Sequence, residues 1–280
     1  MNLALVGALG FWLAAWSLNA ALARRRLGGA ARLAPPLIFG ATLLVLWELL
    51  VLGLEVSPVL LPAPSAIWAR MQVSADVLAT DVVQTFVKGA LTGYAIGCGA
   101  AFLVGVAVDR LPFLRRGLLP VGNFVAALPI IGMAPIMVMW FGFDWHSKAA
   151  VVALMCFFPM LVNTVQGLAA TEPMQADLMR TYAASYPQGL LYLRLPAAAP
   201  FLFNGLKICT TLALIGAIVA EFFGSPTSGM GFRISTEVGR LALDMVWAEI
   251  AVAALVGSAF YGAVALLERA ATFWHPSQRA

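Results

Sequence analysis

Long apolar stretches alternate with short polar interruptions along the chain, at residues 3–23, 36–56, 84–108, 117–141, 149–169, 200–223 and 245–267. Each is close to the ~20 residues that a helix needs to cross the hydrocarbon core of a bilayer. The runs are continuous and rich in Leu and Ala, whereas a barrel strand alternates apolar and polar positions over about ten residues. The pattern therefore predicts an all-α, polytopic transmembrane helix bundle: six core helices with one extra helix in front.

The segments between the runs set the orientation. Arg24, Arg25, Arg26, Arg32, Arg110, Arg115, Arg116, Arg180, Arg194, Arg269 and Arg279 fall on one side, and Arg70, Lys88, Lys148, Arg233 and Arg240 on the other. Positive charge is retained in the cytoplasm, so the first side is cytoplasmic. Ala21-Leu22-Ala23 has the look of a leader cleavage site, but no positive charge precedes the first run and three arginines follow it. A secretory leader has the opposite bias, which favours a spanning helix. The chain divides into an N-terminal helix with a basic linker (1–34), a membrane domain (35–270) and a cytoplasmic tail (271–280).

Composition narrows the function classes. Of 280 residues 62% are hydrophobic and 11% charged, against roughly a quarter charged in a soluble domain. A net charge of +4 would point to nucleic acid in a soluble protein. Here the arginines sit between apolar runs, so lipid is the expected partner and nucleic acid is not. Cys98, Cys156 and Cys209 lie inside apolar runs without the spacing of a disulfide framework or metal site, and His146 and His275 lack ligand-like neighbours. No Gly-x-x-x-x-Gly-Lys-Ser/Thr loop is present, nor a Ser-His-Asp or Cys-His set. The expectation is no catalytic residue, no metal and no cofactor in this chain.

The longest polar interruption on the cytoplasmic side spans residues 171–199. Thr171 is placed to cap a helix whose first turn holds Glu172-Pro173, with Ala176, Met179 and Ala183 at helical spacing. Ser185-Tyr186-Pro187-Gln188 matches a capping box and opens a second short helix, which Pro196 is expected to end. Pro200 then begins the next spanning run. Two short helices at an angle on the inner face are predicted.

This loop resembles the EAA loop of permease subunits of binding-protein-dependent ABC importers, which reads Glu-Ala-Ala, three residues, Gly, nine residues, then Ile-x-Leu-Pro. Leu195-Pro196 matches, Leu193 takes the Ile position, Ala183 the Gly and Asp177 the Glu; Leu178 and Met179 stand where two alanines are expected. Trp47-Glu48, Leu61-Pro62-Ala63-Pro64-Ser65, Leu195 to Pro200, Gly205-Leu206-Lys207 and Ala220-Glu221-Phe222 followed by Gly229-Met230-Gly231 are similar to the nitrate/sulfonate/taurine branch, which also includes importers of riboflavin and thiamine-precursor pyrimidines. The resemblance covers about residues 36–270.

The resemblance implies a type I importer permease core in the bacterial inner membrane. It implies a cytoplasmic ABC ATPase subunit that binds ATP and Mg, an extracytoplasmic substrate-binding protein, and pairing of two permease copies. The cargo would be a small anionic or heterocyclic solute. Asp177, Arg180, Ala183, Ser185, Gln188, Leu193, Leu195 and Pro196 are the implied ATPase-coupling residues. The alternative is a secondary transporter, or another polytopic protein with no ATPase partner.

Inside the runs, Gly89, Gly93, Gly97, Ala101 and Gly105 recur every four residues, a small-residue face for close helix packing. Charges at membrane depth are expensive and often functional: Glu48, Lys207, Glu221 and Glu249 are of this kind. Asn123, Asn163, Asn204, Lys207, Thr211 and Glu221 are candidates for a translocation path, with Thr164, Gln166 and Thr210 beside them; interhelical hydrogen bonding is the competing role. Ser225 to Gly231 predicts a turn at the outer face. Pro129 and Pro135 should kink the fourth run.

Overall fold

The computed structural model describes residues 3–24, 28, 33–111, 113–114, 130–225 and 227–274. The described residues contain helices and no strands. Among the described residues, five helical courses are long and apolar enough to cross a membrane: Ala34–Gly53, Ala75–Arg110, Trp145–Ala169, Tyr186–Phe223 and Leu243–Ala271. Asn123 and Pro129, with most of the 117–141 run, lie outside the described residues, as do Arg115, Arg116 and most of the tail.

The chain forms two compact units, Met1–Asp76 with Thr236–Ile250, and Val77–Ser235 with Ala251–Ala280. In the first unit, α1 (Leu3–Ala23) packs on α2 (Ala34–Gly53). Prolines occupy the first turn of α2, where the missing N–H is no loss. Then α3 (Pro64–Val73) follows an extended Ala63. Ala63 and not Ser65 holds the cap position of α3. The Ser65 backbone N–H and hydroxyl both donate to the Glu48 carboxylate, at 2.9 and 2.6 Å, so an acid from α2 satisfies an otherwise unpaired donor at the start of α3. The Trp47 and Trp247 rings meet edge to face at 5.0 Å, and Arg70 pairs with Asp244 at 2.6 Å.

The second unit is built on three long helical courses. The first runs through α4 (Ala75–Val82), a π-helical stretch Val83–Leu91 and α5 (Thr92–Arg110). After a 3-10 turn at Ile130–Met133, α6 (Ala134–Phe141) carries Pro135 in its first turn. The expected kink at Pro135 is therefore a helix start. Next come α7 (Trp145–Ala169), α8 (Pro173–Thr181) and α9 (Tyr186–Gly189). A π-helical stretch Leu190–Arg194 joins α9 to α10 (Leu195–Phe223), and α11 (Met230–Gly239) and α12 (Leu243–Ala271) complete the chain.

Helices α5, α7 and α10 pack against one another around Cys98, Ala101, Val152, Cys156, Leu161, Cys209 and Ala213. The glycine stripe faces α7. A Cβ at Gly97 would stand 2.4 Å from the Ala153 carbonyl oxygen, and one at Gly93 2.5 Å from that of Ala149. Further along, a Cβ at Gly105 would meet Thr164 Cγ2 at 2.5 Å, while Gly89 has ordinary contacts, 3.4 Å to Lys148 Cβ. The close approach that small residues permit is thus used from Gly93 to Gly105. Tyr94 and Phe86 stack edge to face on Phe260 of α12 at 4.9 and 5.3 Å.

Candidate functional site

The loop 171–199 forms two helices, with local details that depart from the sequence reading. Thr171 does not cap α8; its hydroxyl turns back to the Leu168 carbonyl at 3.4 Å. Glu172 holds the cap position in extended conformation and Pro173 opens the helix. Ala183 lies beyond the helix instead of on its apolar face. It adopts a left-handed conformation, φ 51°, its N–H donating to the Arg180 carbonyl at 2.9 Å and that of Ala184 to Met179 at 3.0 Å. This pair of bonds is the Schellman ending, whose left-handed residue is usually glycine. Ala183 thus holds a backbone conformation that glycine usually supplies.

The capping box at Ser185 forms, with the Ser185 N–H donating to Gln188 Oε1 at 2.8 Å. A third departure is at Pro196, which ends nothing. Helical backbone continues from Tyr186 to Phe223, with Pro196 in the first turn of α10 and Pro200 inside it. Proline removes a donor from the ladder, and the π-helical stretch Leu190–Arg194 immediately before Pro196 shifts the hydrogen-bond register there. The short second helix and the spanning helix are consequently one rod.

That rod is fastened to the end of α5. Arg194 donates to the Asp109 carboxylate, and Tyr186 OH donates to the same Oδ2 at 3.1 Å. The Arg110 guanidinium lies 5.4 Å from the Tyr186 ring centre, within cation–π range. Neither Asp109 nor Tyr186 was singled out by sequence reasoning. The only available signal was an acid at the end of an apolar run.

Most of the loop's surface is open. Asp177 and Arg180 form an exposed pair at 3.0 Å, and Ala183, Ser185 and Gln188 are exposed, while Leu193, Leu195 and Pro196 are half-buried. Met174, Leu178, Tyr182 and Tyr192 present apolar surface. Between α8 and α9 lies a cleft of 180 Å³ bounded by Met179, Tyr186 and Leu193 among others.

A second constellation closes the far end of α10. Glu221, 3% exposed, accepts from Thr85 Oγ1 at 2.9 Å and from the Gly231 N–H at 2.7 Å. Thr85 in turn accepts the Met230 N–H at 2.7 Å. Asp81, fully buried, accepts the Gly229 N–H at 2.6 Å and pairs with Arg233 at 2.9 Å. Two acids thereby take the donors at the start of α11, where negative charge is favoured. Gly229 has φ 126°, and a Cβ there would stand 2.5 Å from Glu221 Oε1. Asp81 and Thr85 are four residues apart on one helix face, the sequence signal that was available and passed over.

The remaining path candidates fall in two places. Asn204 donates to Asn163 Oδ1 at 3.0 Å, and Asn163 to the Pro159 carbonyl at 2.8 Å. Lys207 pairs with Glu268 of α12 at 2.7 Å, separate from Glu221. Thr211 is exposed along a groove of 480 Å³ between α10 and α12, with Leu214, Gly257 and Tyr261. Thr164 and Thr210 bond back to their own helices. At the start of α7, Asp144 accepts the Trp145 N–H at 2.7 Å, which holds its carboxyl below the usual range despite some desolvation.

Residues 93–272 match the family model described as "Binding-protein-dependent transport system inner membrane component". The chain is 31% identical over 247 residues to a formylaminopyrimidine transport permease protein of Halalkalibacterium halodurans, covering 87% of this chain and 96% of the relative. It is 30% identical to a riboflavin transport system permease protein of Chloroflexus aurantiacus, with 84% and 88% covered. It is 27% identical to the taurine transport system permease protein of Escherichia coli, with 84% and 87% covered. The all-helical bundle, its apolar spans and this match over more than half its length place the chain in the binding-protein-dependent ABC transporter permease family, as a multi-pass inner-membrane component that is not itself an ATPase.

Proposed function

We propose that the loop 171–199 docks on a cytoplasmic ATPase subunit, which binds the ATP and Mg, and that this contact drives import of a small anionic or heterocyclic solute handed over by an external binding protein. The observation that carries the reading is mechanical. The exposed apolar residues Met174, Leu178 and Tyr182 flank the Asp177–Arg180 pair, and the second loop helix continues unbroken into a spanning helix. A partner that grips the loop at α9 would move α10 with it, because the two are one helical course. Two copies would supply the two halves of the pathway. The solute class rests on relatives described as formylaminopyrimidine, aliphatic sulfonate, taurine and riboflavin permeases. Asn163, Asn204, Lys207 and Thr211 are the described residues we assign to the path, with Asn123 as a further member. Glu221, held by Thr85 and Gly231, we assign to the state of the outer end.

Leu178→Asp places a charge on the docking face without disturbing the core, since Leu178 is 55% exposed. It should abolish ATPase recruitment and uptake in membrane vesicles while the chain remains inserted. Recruitment at the unmodified level would refute the docking role. Uptake that persists after loss of the ATPase would refute ATP-driven transport.

A further inference from the structure

Three cysteines that stand far apart in the sequence come together where α5, α7 and α10 meet. The Sγ atoms of Cys98, Cys156 and Cys209 all lie within 4.8 Å of one another. They are 5%, 0% and 0% exposed. Spacing along the chain gave no hint of this, because each helix contributes one ligand. Cys156 Sγ donates to the Cys209 carbonyl at 3.6 Å and Cys209 Sγ to the Cys156 carbonyl at 3.3 Å, a reciprocal pair across the α7–α10 contact. Gly97, next to Cys98, lets α5 approach the α7 backbone closely enough to bring in the third sulfur.

We propose that Cys98, Cys156 and Cys209 form a three-thiol site for a trivalent metalloid, taken up as its neutral trihydroxide, of which arsenite is the simplest. Thiolates are soft donors that select soft centres. Thiolate bonds of about 2.3 Å, set at the angles of a pyramidal centre that keeps a lone pair, separate the sulfurs by roughly 3.5 Å, so three sulfurs that already lie within 4.8 Å of one another need only draw in slightly. Charge then chooses the valence. Three thiolates around a monovalent or divalent ion leave net negative charge in an apolar core, which is strongly penalised. Around a trivalent centre the complex is neutral. The exchange balances: three As–O bonds are replaced by three As–S bonds, each thiol proton leaves with a hydroxide as water, and no oxidation state changes. The product ties α5, α7 and α10 together through one atom.

The test loads arsenite into the full-length chain, both during its synthesis in membranes and after purification with its ATPase partner. Arsenic content and arsenic X-ray absorption are read on the purified protein, independently of transport. The expected result is one arsenic per chain with three sulfur neighbours, and at least a tenfold loss of retention in each of Cys98→Ala, Cys156→Ala and Cys209→Ala. Alanine suits a site where cysteine packs as a small apolar residue, and gel filtration with helix content verifies each variant's fold. Arsenic no higher than in the triple Cys→Ala chain after both loadings, two sulfur neighbours, or undiminished retention by a well-folded single variant would overturn the site.

Discussion

Glu221 Oε2 accepts the backbone N–H of Gly231 at 2.7 Å, ten residues further along the chain. This bond folds the segment after α10 back on itself and seats α11 against the same carboxylate that Thr85 holds. Removing the acid leaves Thr85 and Gly231 buried without that acceptor, at about 1–3 kcal/mol for each unsatisfied group. Glu221→Ala should therefore lower the thermal midpoint of the purified chain markedly, and Glu221→Gln, which keeps one acceptor oxygen, by less. Midpoints equal to that of the unmodified chain in both variants would show that the carboxylate does not organise this end.

Ala183 carries the left-handed turn after α8 with φ 51°. A Cβ in this region costs roughly 1–2 kcal/mol, partly offset by the greater freedom that glycine has when unfolded. Ala183→Gly should stabilise the loop by about 0.5–1 kcal/mol with uptake retained, and Ala183→Val should destabilise it. Limited proteolysis at the loop is the direct measurement. Faster cleavage of the glycine variant would contradict the assignment.

Asp109 receives both Arg194 and Tyr186, tying the rod that bears the second loop helix to α5. Asp109→Ala strands a half-buried guanidinium, so ATP hydrolysis by the assembled complex should lose its dependence on substrate and binding protein, with assembly preserved. Arg194→Asp combined with Asp109→Arg should recover part of the coupling. Full coupling in Asp109→Ala would remove this contact from the mechanism.

Gly97 cannot accept a side chain without displacing backbone, because a Cβ there would fall 2.4 Å from the Ala153 carbonyl oxygen. Gly97→Ala should destabilise by about 1–3 kcal/mol through overpacking, whereas Gly99→Ala, with nothing within 4 Å, should be near neutral. Thermal unfolding of the two in the same detergent separates these outcomes.

Asp144 ionises below its usual range because it accepts the Trp145 N–H. The sign follows: its capping contribution is fully present above the unfolded value of about 3.9 and is lost as pH falls through the lower folded value. Asp144→Asn retains a capping oxygen and should flatten the acid limb of the stability curve while changing little at neutral pH. An unchanged acid limb would show that this group does not contribute to it.

Much of the architecture was legible because hydrophobic length is a local property. The runs at 36–56, 84–108, 149–169, 200–223 and 245–267 each fall largely within a spanning course, since a bilayer selects for uninterrupted apolar length wherever the helix packs. The loop was legible for a related reason: Ser185 with Gln188 and the proline after Glu172 act over one helical turn. Its ends were not. Pro196 reads as a stop because proline usually is one, and only the π-helical turn before it allows the rod to continue.

The sequence by itself determined the helices, their apolar lengths and the capping of the loop, because those depend on neighbours within a few residues. The tertiary structure alone decided which distant groups meet: Glu48 with Ser65, Asp109 with Arg194, Asp81 and Glu221 with the start of α11, and three thiols from three helices. Such pairs depend on how helices cross and rotate against one another, and the spacing between residues on different helices carries no record of it.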